Sequence, residues 1–225
     1  MRKIIWIALS ALVVSCGSKS KDNFTVKCQI LGLKKGTIYL EKFEDKKIVV
    51  VDSVNITDAT EEFTFTNTIN EPELYIISLD KLNTKQITFF GEEGTIHIET
   101  SLNKFYINRK ISGSSLQEIL DKHDEYAKKF NDINLDLIKD KFEALKYGDT
   151  KSVEEIELKR LNNLKRLYLF SANFAIAYND KAISPFIACH RMEQATPKLK
   201  QKIYEALTPE IKHSKYGKQL KELIQ

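Results

Sequence analysis

The amino-acid sequence predicts an α+β protein, with an N-terminal antiparallel β-region that forms a sandwich or a curled meander and an all-helical C-terminal region. Two patterns carry this prediction. From Phe24 to about Ile111, apolar and polar residues alternate in short runs rich in β-branched and aromatic residues. After Gly113 the apolar residues recur at spacings of three and four, the period of an amphipathic helix. We therefore expect a β-domain over residues 24–112 and a helical domain over residues 113–225.

The start of the chain has the pattern of an export signal. Arg2 and Lys3 precede an apolar run of roughly 11 residues, and small residues follow it. A helix needs about 20 apolar residues to cross a bilayer, so this run is too short for a permanent transmembrane anchor. Residues 13–16, Val-Val-Ser-Cys, resemble the lipobox of bacterial lipoproteins, in which the cysteine becomes the acylated first residue. We therefore expect a signal peptide over residues 1–15 and lipidation of Cys16.

Residues 16–23 are predicted to form a flexible tether, because they are mostly small, polar or charged. Each methylene that enters a bilayer contributes about 0.8 kcal/mol, so several acyl chains on Cys16 would make a durable membrane anchor. The resemblance to lipoproteins implies a sorting rule, in which aspartate after the cysteine retains the protein in the inner membrane. Gly17 occupies that position. We therefore expect a lipid-anchored envelope protein on the outer membrane, facing the periplasm or the cell surface.

The β-domain is expected to contain about eight strands spaced about 8 to 12 residues apart. Residues 44–47, Glu-Asp-Lys-Lys, divide two strands. Residues 91–94, Gly-Glu-Glu-Gly, are predicted to form a short hairpin loop. After a first strand from Phe24, the predicted strands are Thr37–Phe43, Ile48–Val54, Glu62–Thr66, Leu74–Leu79, Gln86–Phe90, Thr95–Glu99 and Phe105–Ile111.

The helical domain begins with two long helices. Ser115 and Glu118 have the spacing of a capping box and predict a first helix that ends near Gly148. Ser152 and Glu155 repeat that spacing and predict the second. Shorter helices follow, because a cap residue before proline favours a helix start. These starts are Ser184-Pro185, Thr196-Pro197 and Thr208-Pro209, and the last helical segment is 216–224.

The charge pattern excludes nucleic acid as an expected partner. The chain has 35 basic and 31 acidic residues, and residues 1–15 hold two of the basic ones, which leaves a formal charge of +2 after cleavage. Basic and acidic residues are interspersed, as on an ordinary solvated surface. Solvation and the helix dipole explain the paired acids Glu92-Glu93, in a turn, and Glu154-Glu155, in a first helical turn.

Several segments together resemble the domain of unknown function numbered 4369, which occurs in envelope lipoproteins. The resemblance extends over nearly the whole chain, although its motifs are loose. The matching segments are the lipobox, residues 36–40 (Gly-Thr-Ile-Tyr-Leu), 51–54 (Val-Asp-Ser-Val), 63–65 (Phe-Thr-Phe), 71–75 (Glu-Pro-Glu-Leu-Tyr), 89–96 (Phe-Phe-Gly-Glu-Glu-Gly-Thr-Ile), 111–114 (Ile-Ser-Gly-Ser) and 179–185.

In many relatives this region precedes a thioredoxin-like domain resembling the envelope thiol-disulfide oxidoreductases. The resemblance places the start of that domain where this sequence stops, at Gln225. The sequence contains no Cys-x-x-Cys motif, and its only tryptophan, Trp6, lies in the predicted signal peptide. The relatives' redox motif therefore has no counterpart here.

The two cysteines other than Cys16 are weak candidates for chemistry. Cys28 alternates with apolar residues and is expected to be a small buried residue. A disulfide between Cys28 and Cys189 is left open, since geometry excludes most pairs. His190 is adjacent to Cys189, but neighbours on a helix point about 100 degrees apart. We expect a partly buried cysteine beside a surface histidine.

Histidines and acids do not assemble a convincing site. His97 and Glu99 share one face of a strand, but two ligands are too few for a structural zinc site. His123 has Asp121 and Asp124 nearby, yet neither stands three or four residues away, so His123 is expected at the edge of the core. We predict no metal and no cofactor.

Aromatic residues on the predicted strands are weaker evidence for a binding surface. Phe89 and Phe90 are consecutive, so one of them must point away from the inner side of its strand. Tyr39, Tyr75 and Tyr106 also lie on β-segments. An exposed aromatic patch would be a ligand or partner surface. A sheet covered by helices would instead bury both faces, and we favour that interpretation.

These observations favour a binding or scaffolding module over an enzyme: a membrane-anchored envelope lipoprotein that offers surfaces to another envelope protein. The alternative, which rests on the resemblance, is an accessory module for a separately encoded thioredoxin-like thiol-disulfide oxidoreductase. A hydrolase would need a dispersed cluster of catalytic groups that only a structure can reveal.

Overall fold

The computed structural model describes residues 22–44, 47–58, 62–82 and 84–225. In these ranges the predicted order is confirmed, since strands come first and helices follow. The strands are β1 Phe24–Leu31, β2 Gly36–Glu44, β3 Lys47–Ile56, β4 Phe63–Asn67, β5 Glu73–Leu79, β6 Gln86–Gly91, β7 Gly94–Ser101 and β8 Lys110–Ser112. The α-helices are α1 Ser115–Lys146, α2 Thr150–Ala177, α3 Ile183–His190, α4 Pro197–Ala206, α5 Pro209–His213 and α6 Lys215–Leu223.

Within the described residues the strands form two four-stranded sheets, with orders β4-β1-β7-β8 and β3-β2-β5-β6. The sheets face each other across a common apolar core, as the predicted sandwich requires. All neighbouring strands are antiparallel except β1 and β7, which pair in parallel. The predicted hairpin at residues 91–94 is therefore wrong. This loop carries the chain from one sheet to the other, and a strand that enters by such a crossover can run parallel to its neighbour.

The predicted strand Phe105–Ile111 is mostly a turn. Leu102–Lys104 forms a 3-10 turn, and Phe105 has helical φ and ψ of −49° and −48°. The Thr100 hydroxyl donates to the carbonyl oxygen of Phe105 at 2.6 Å. This turn buries the Phe105 ring and leaves Ile107 78% exposed. The two residues are two positions apart, as on one face of a strand, but they do not lie on a common face.

Two apolar cores meet at consecutive residues of β6. Phe89 lies in the sandwich core and Phe90 in the core of the helical region, and both are fully buried. Phe90 packs edge-on against Phe186 of α3, with ring centroids 5.3 Å apart. The expectation that helices cover the second sheet and bury both phenylalanines is confirmed.

The start of α1 covers the free edge of β6. The Ser114 hydroxyl donates to the Phe90 carbonyl at 3.0 Å, and the Gln117 side-chain oxygen accepts from the Phe90 N–H at 2.8 Å. The unpaired edge of the sheet is therefore partly satisfied by the helix. Gly113 makes the approach feasible, because its φ is +87° and a Cβ there would lie 2.2 Å from the Thr95 oxygen.

The long helices begin earlier than the capping boxes predicted. Ser114, not Ser115, caps α1, with its hydroxyl accepting from the Gln117 N–H at 3.0 Å. Asp149, not Ser152, caps α2 by accepting from the Ser152 N–H at 3.0 Å. These shifts of one and three residues follow from competing cap residues immediately upstream.

Among the short helices, the predicted starts at Thr196 and Thr208 are confirmed. Ser184 instead lies inside the first turn of α3, which follows Ala182 without a side-chain cap. Ser214 separates α5 from α6 and accepts from the Gly217 N–H at 3.2 Å. None of the described helices is both long enough and apolar enough to span a membrane.

Candidate functional site

The predicted lipidation site, Cys16, lies outside the described residues. Cys28 and Cys189 are both free and buried, in the sandwich core and the helical core respectively. Burial, and to a lesser extent the charge of Glu62, raises the pKa of the Cys28 thiol well above its ordinary value. Burial also raises the pKa of Cys189 to about 12. Both groups are therefore thiols, not reactive thiolates, at neutral pH.

Cys189 and His190 point to different partners, as their adjacency on a helix predicted. The Cys189 thiol donates to the Tyr216 carbonyl at 3.8 Å, while the His190 ring packs on Phe186 with centroids 4.8 Å apart. His190 was expected at the surface and is partly exposed, although its Nε2 atom is buried.

His123 differs from its predicted role at the edge of the core. It is 1% exposed, with its Nδ1 2.8 Å from the Asp124 carboxylate and its Nε2 3.0 Å from the Ser171 hydroxyl. Arg191 donates twice to the same carboxylate, at 3.1 and 2.9 Å. Burial alone would raise the pKa of Asp124, but the hydrogen bonds from His123 and Arg191 outweigh it and lower that pKa.

This line of groups has the order of a serine hydrolase triad. However, Ser171 is completely buried within α2, and a nucleophile must contact its substrate. The network instead links α1, α2 and the end of α3, with each buried polar atom of His123 satisfied. Sequence reasoning missed it, because Ser171 is 48 residues away from His123 along the chain.

The other predicted candidates are dispersed. His97 and Glu99 are exposed on the outer face of β7, and no cluster of potential metal ligands occurs in the described ranges. Glu92 has a structural role, since its carboxylate accepts from the Leu116 N–H at 3.1 Å in the first turn of α1. Tyr75 is buried.

A cavity with a largely apolar lining lies between α2 and α4. It has a volume of about 420 Å³. Leucine and other apolar side chains form its floor, although Leu161 and Leu169 remain 50% and 55% exposed. We call this feature the α2–α4 groove. Its floor consists of Leu161, Leu164, Tyr168, Leu169, Ala195 and Leu199.

Helix geometry explains why α2 presents this second apolar face. Leu161, Leu164 and Tyr168 have spacings of three and four and therefore form one stripe. Asn163, which is buried against α1, lies two residues from Leu161 and hence about 200 degrees around the helix. One side of α2 packs on α1, and the other supplies the floor of the groove.

The edges of the groove are positively charged. Lys165, Lys198 and Lys202 line it, and no acidic residue does. Among the described residues, none of these lysines forms a salt bridge. The groove therefore combines an apolar floor with three lysines that have no salt-bridge partner in the described part of the chain.

A smaller cavity of about 280 Å³ lies beside the groove, between α1 and α2, and shares Leu161, Leu164 and Gln194 with it. Asn163, which is 7% exposed, lines this smaller cavity. Its amide nitrogen donates to the Phe130 carbonyl at 2.8 Å, but its Oδ1 has no partner among the described residues. Arg160 lines the same cavity and bonds to Glu157 at 2.9 Å.

Sequence analysis did not find the groove. Leu161, Leu164 and Tyr168 follow the general helical spacing of apolar residues after Gly113, which by itself predicts only a helix with one core-facing side. The one available signal was the width of that pattern, which is broader than packing against a single helix requires. The contribution of α4 depends on how the chain returns, and no local pattern reports that.

A comparison with family models matches residues 24–120 to a family described as "Domain of unknown function (DUF4369)". The match covers the strands and the first turns of α1, so the groove lies outside it. Comparisons with curated proteins and with solved structures found no match. The match confirms the predicted resemblance to the DUF4369 family over residues 24–120, a shorter extent than the nearly whole chain that the motifs suggested.

Proposed function

We propose that this protein is a lipid-anchored binding module of the cell envelope that holds an apolar, acidic segment of another envelope protein in the α2–α4 groove. The observation that carries the proposal is the apolar floor of the groove, whose lining includes three lysines without a salt bridge to any described residue and no acid. In this proposal the chain binds its partner and does not catalyse a reaction.

The dimensions of the groove suit a helical segment. Leu161 and Leu169 are eight residues apart, so the floor extends about 12 Å along α2. That length accommodates about two turns of a partner helix, whose apolar residues at spacings of three and four would contact the floor. Acidic residues beside that stripe would face Lys165, Lys198 and Lys202.

The anchor gives the groove its location. Acyl chains on Cys16 would hold the protein on the outer membrane, as the lipobox and Gly17 suggest. The tether before Asn23 would let the groove move near the membrane and raise its effective concentration toward partners on the same surface. Asn23 itself exchanges hydrogen bonds with the backbone of Ile69, at 3.0 and 2.9 Å, and belongs to the folded region. The alternative, an accessory role beside a thioredoxin-like protein, rests only on the resemblance. Such a protein would be one example of an envelope partner for the groove.

The groove is tested with two synthetic peptides of about four helical turns that share one apolar stripe. One peptide carries glutamates beside the stripe and the other carries lysines. We expect the mature chain, with Cys16→Ser, to bind the acidic peptide in a fluorescence anisotropy titration. Affinity should fall as salt rises from about 0.05 to 0.5 M, because exposed charges are screened.

Charge reversals locate the binding site. Lys198→Glu and Lys202→Glu should each lower the affinity for the acidic peptide by about three- to tenfold. Lys159→Glu makes the same change on an exposed position of α2 outside the groove and should have no effect. Equal binding of both peptides, or equal effects of Lys159→Glu and Lys198→Glu, would refute the proposed site.

The anchor is tested separately. With Cys16→Ala, cells should accumulate a precursor that has the mass of the full chain and incorporates no labelled fatty acid. A variant that is still labelled and still pellets with membranes would show that the lipobox interpretation is wrong. This result would leave the peptide measurements on the groove unaffected.

A further inference from the structure

The C-terminal half of α1 carries a row of apolar side chains that remains open to solvent. Leu135, Phe142 and Leu145 are 53%, 68% and 53% exposed, and Ile138 between them is half-buried. Their spacings of three, four and three residues place them on one face of the helix. We call this row the α1 stripe. It is separate from the α2–α4 groove, because α1 contributes no residue to the lining of that groove.

The packing of α1 on α2 explains why the stripe stays open. Lys141 faces α2 and forms a salt bridge with Glu157 there. Phe142 follows one residue later, so its side chain points about 100 degrees away from that contact. Leu135, seven residues earlier, lies on the same side as Phe142. The exposure of both side chains shows that no other described helix or strand covers this side.

The spacing of the stripe is one that a second helix can match. Apolar residues at alternating intervals of three and four form the seam of a coiled coil, in which each side chain inserts between residues of the facing helix. The four positions extend about 15 Å along α1. A second copy of α1 that runs in the opposite direction would place its Leu145 against Leu135 and its Phe142 against Ile138.

Charges beside the stripe favour this antiparallel pairing. Asp132, Lys139 and Lys146 are seven residues apart and form a row next to the stripe. Asp132 of each copy would lie opposite Lys146 of the other, whereas a parallel copy would place like charges together. Asp132 already lies 2.7 Å from Lys128 and would be shared between two lysines. Lys139 would meet its own copy near the symmetry axis, but Asp136 lies 3.1 Å from it and offsets its charge.

The small size of the stripe limits the strength of the pairing. A stable interface involves about 20 to 30 residues from each partner, and the stripe with its charged row contributes far fewer. We therefore expect a dissociation constant on the order of 0.1 mM. The chain would be monomeric in dilute solution, and attachment of two copies to one membrane would raise their effective concentration.

From these observations we propose that the α1 stripe is a self-association surface, through which two copies of this chain pair antiparallel and bury Leu135, Phe142 and Leu145 between them. Each copy uses the same surface, so the assembly closes at the dimer. The pairing does not depend on the function proposed for the groove, because the groove contributes no residue to the stripe.

Sedimentation equilibrium of the mature chain with Cys16→Ser tests the dimer between about 0.005 and 1 mM. We expect mostly monomer at the lowest concentration and mostly dimer at the highest. Leu145→Glu should weaken dimerisation at least about tenfold, because it places a charge in the apolar seam. Leu158→Glu makes the same change at a leucine of α2 that is 60% exposed outside the stripe, and should leave dimerisation unchanged. A chain that stays monomeric throughout, or equal effects of the two variants, would overturn the proposal.

A charge exchange tests the antiparallel arrangement. Asp132→Lys and Lys146→Asp should each weaken the dimer by about three- to tenfold. The double variant should restore the affinity, because the same pairs form with reversed signs. A double variant that dimerises no more tightly than either single variant would overturn the arrangement. A monomeric chain that binds phosphatidylcholine vesicles, and loses that binding with Leu145→Glu, would mean that a bilayer covers the stripe instead of a second copy.

Discussion

The two halves of the α1–α2 hairpin have the same helical structure but very different surroundings. The proximal half, residues 115–127 and 163–177, packs on the sheets and on the short helices and contains most of the buried positions. The distal half, residues 128–162, is wholly described, and Ile156 is its one buried side chain. Phe142 and Tyr147 are 68% and 80% exposed there.

This difference shows that a long amphipathic pattern can continue past the core that stabilises it. The proximal half gains stability from tertiary packing, which supplies most helical stability in proteins. The distal half depends on contacts between α1 and α2, on helix propensity and on exposed pairs such as Lys128 with Asp132, which are 2.7 Å apart. Its free energy of local opening should therefore be lower.

The largest expected difference in stability between the two halves comes from removing one phenylalanine ring in each. Phe186→Ala removes a ring that is 1% exposed between Phe90 and Tyr216, and should lower the free energy of unfolding by about 3–5 kcal/mol. Phe142→Ala in the distal half should change it by less than about 0.5 kcal/mol. Urea unfolding measures both values. A cost above about 2 kcal/mol for Phe142→Ala would show that the distal half packs more than its exposure indicates.

A smaller difference in stability between the two halves is expected when one polar group is removed from each. Ser171→Ala leaves the buried Nε2 of His123 without its partner and should cost about 1–3 kcal/mol. Asp132→Ala breaks the exposed pair with Lys128 and should cost less than about 1 kcal/mol. The same unfolding assay applies. Similar costs for the two variants would mean that burial of the His123 network contributes little to stability.

The pH dependence of stability gives a further test of the packed region. The pKa of His190 is lowered on folding, mainly by burial, so between that pKa and about 6.5 the unfolded chain binds more protons. The contribution of His190 to the free energy of unfolding is therefore fully present above about pH 6.5 and declines as the pH falls below that value. Urea unfolding of His190→Phe from pH 7.5 to 5 should show a shallower decline than wild type. An unchanged slope would show that His190 does not titrate differently in the folded state.

The smallest global effect is expected at the tip of the hairpin. Asp149→Ala removes the cap of α2, where the hydrogen bond from the Ser152 N–H lowers the pKa of Asp149. Amide hydrogen exchange in residues 150–155 should become faster, while the midpoint of global unfolding stays nearly unchanged. Loss of global stability would mean that the distal half does not open independently. Asp149→Asn retains a capping oxygen and should restore slow exchange.

Much of the fold was predictable because strands and long helices leave local periodic patterns. Six of the predicted strands differ from the observed ones by only a few residues at each end. The errors lie where a distant contact overrides the local pattern. Phe105 alternates like a strand residue but is buried by a turn, and the glycines of residues 91–94 serve a crossover between sheets.

The candidate sites were less predictable. The groove requires α4 to lie beside α2. The contact between the sheets and the helices requires Tyr216 to meet Leu74, which is 142 residues away along the chain. His123 and Ser171 likewise meet only when α1 packs on α2. Such contacts have no local period, so inspection of one segment cannot reveal them.

The sequence by itself determined the α+β class, the order of strands before helices, the resemblance to the DUF4369 domain and the buried state of Cys28. The resemblance rests on the motifs named above, and the other properties depend on the side-chain period within a few turns or one strand. The tertiary structure alone decided the parallel pairing of β1 with β7, the division of Phe89 and Phe90 between two cores, and the unpaired apolar face of α2. Each of these depends on which distant surface covers a given face, because burial is settled by packing among elements and not by the pattern within one of them.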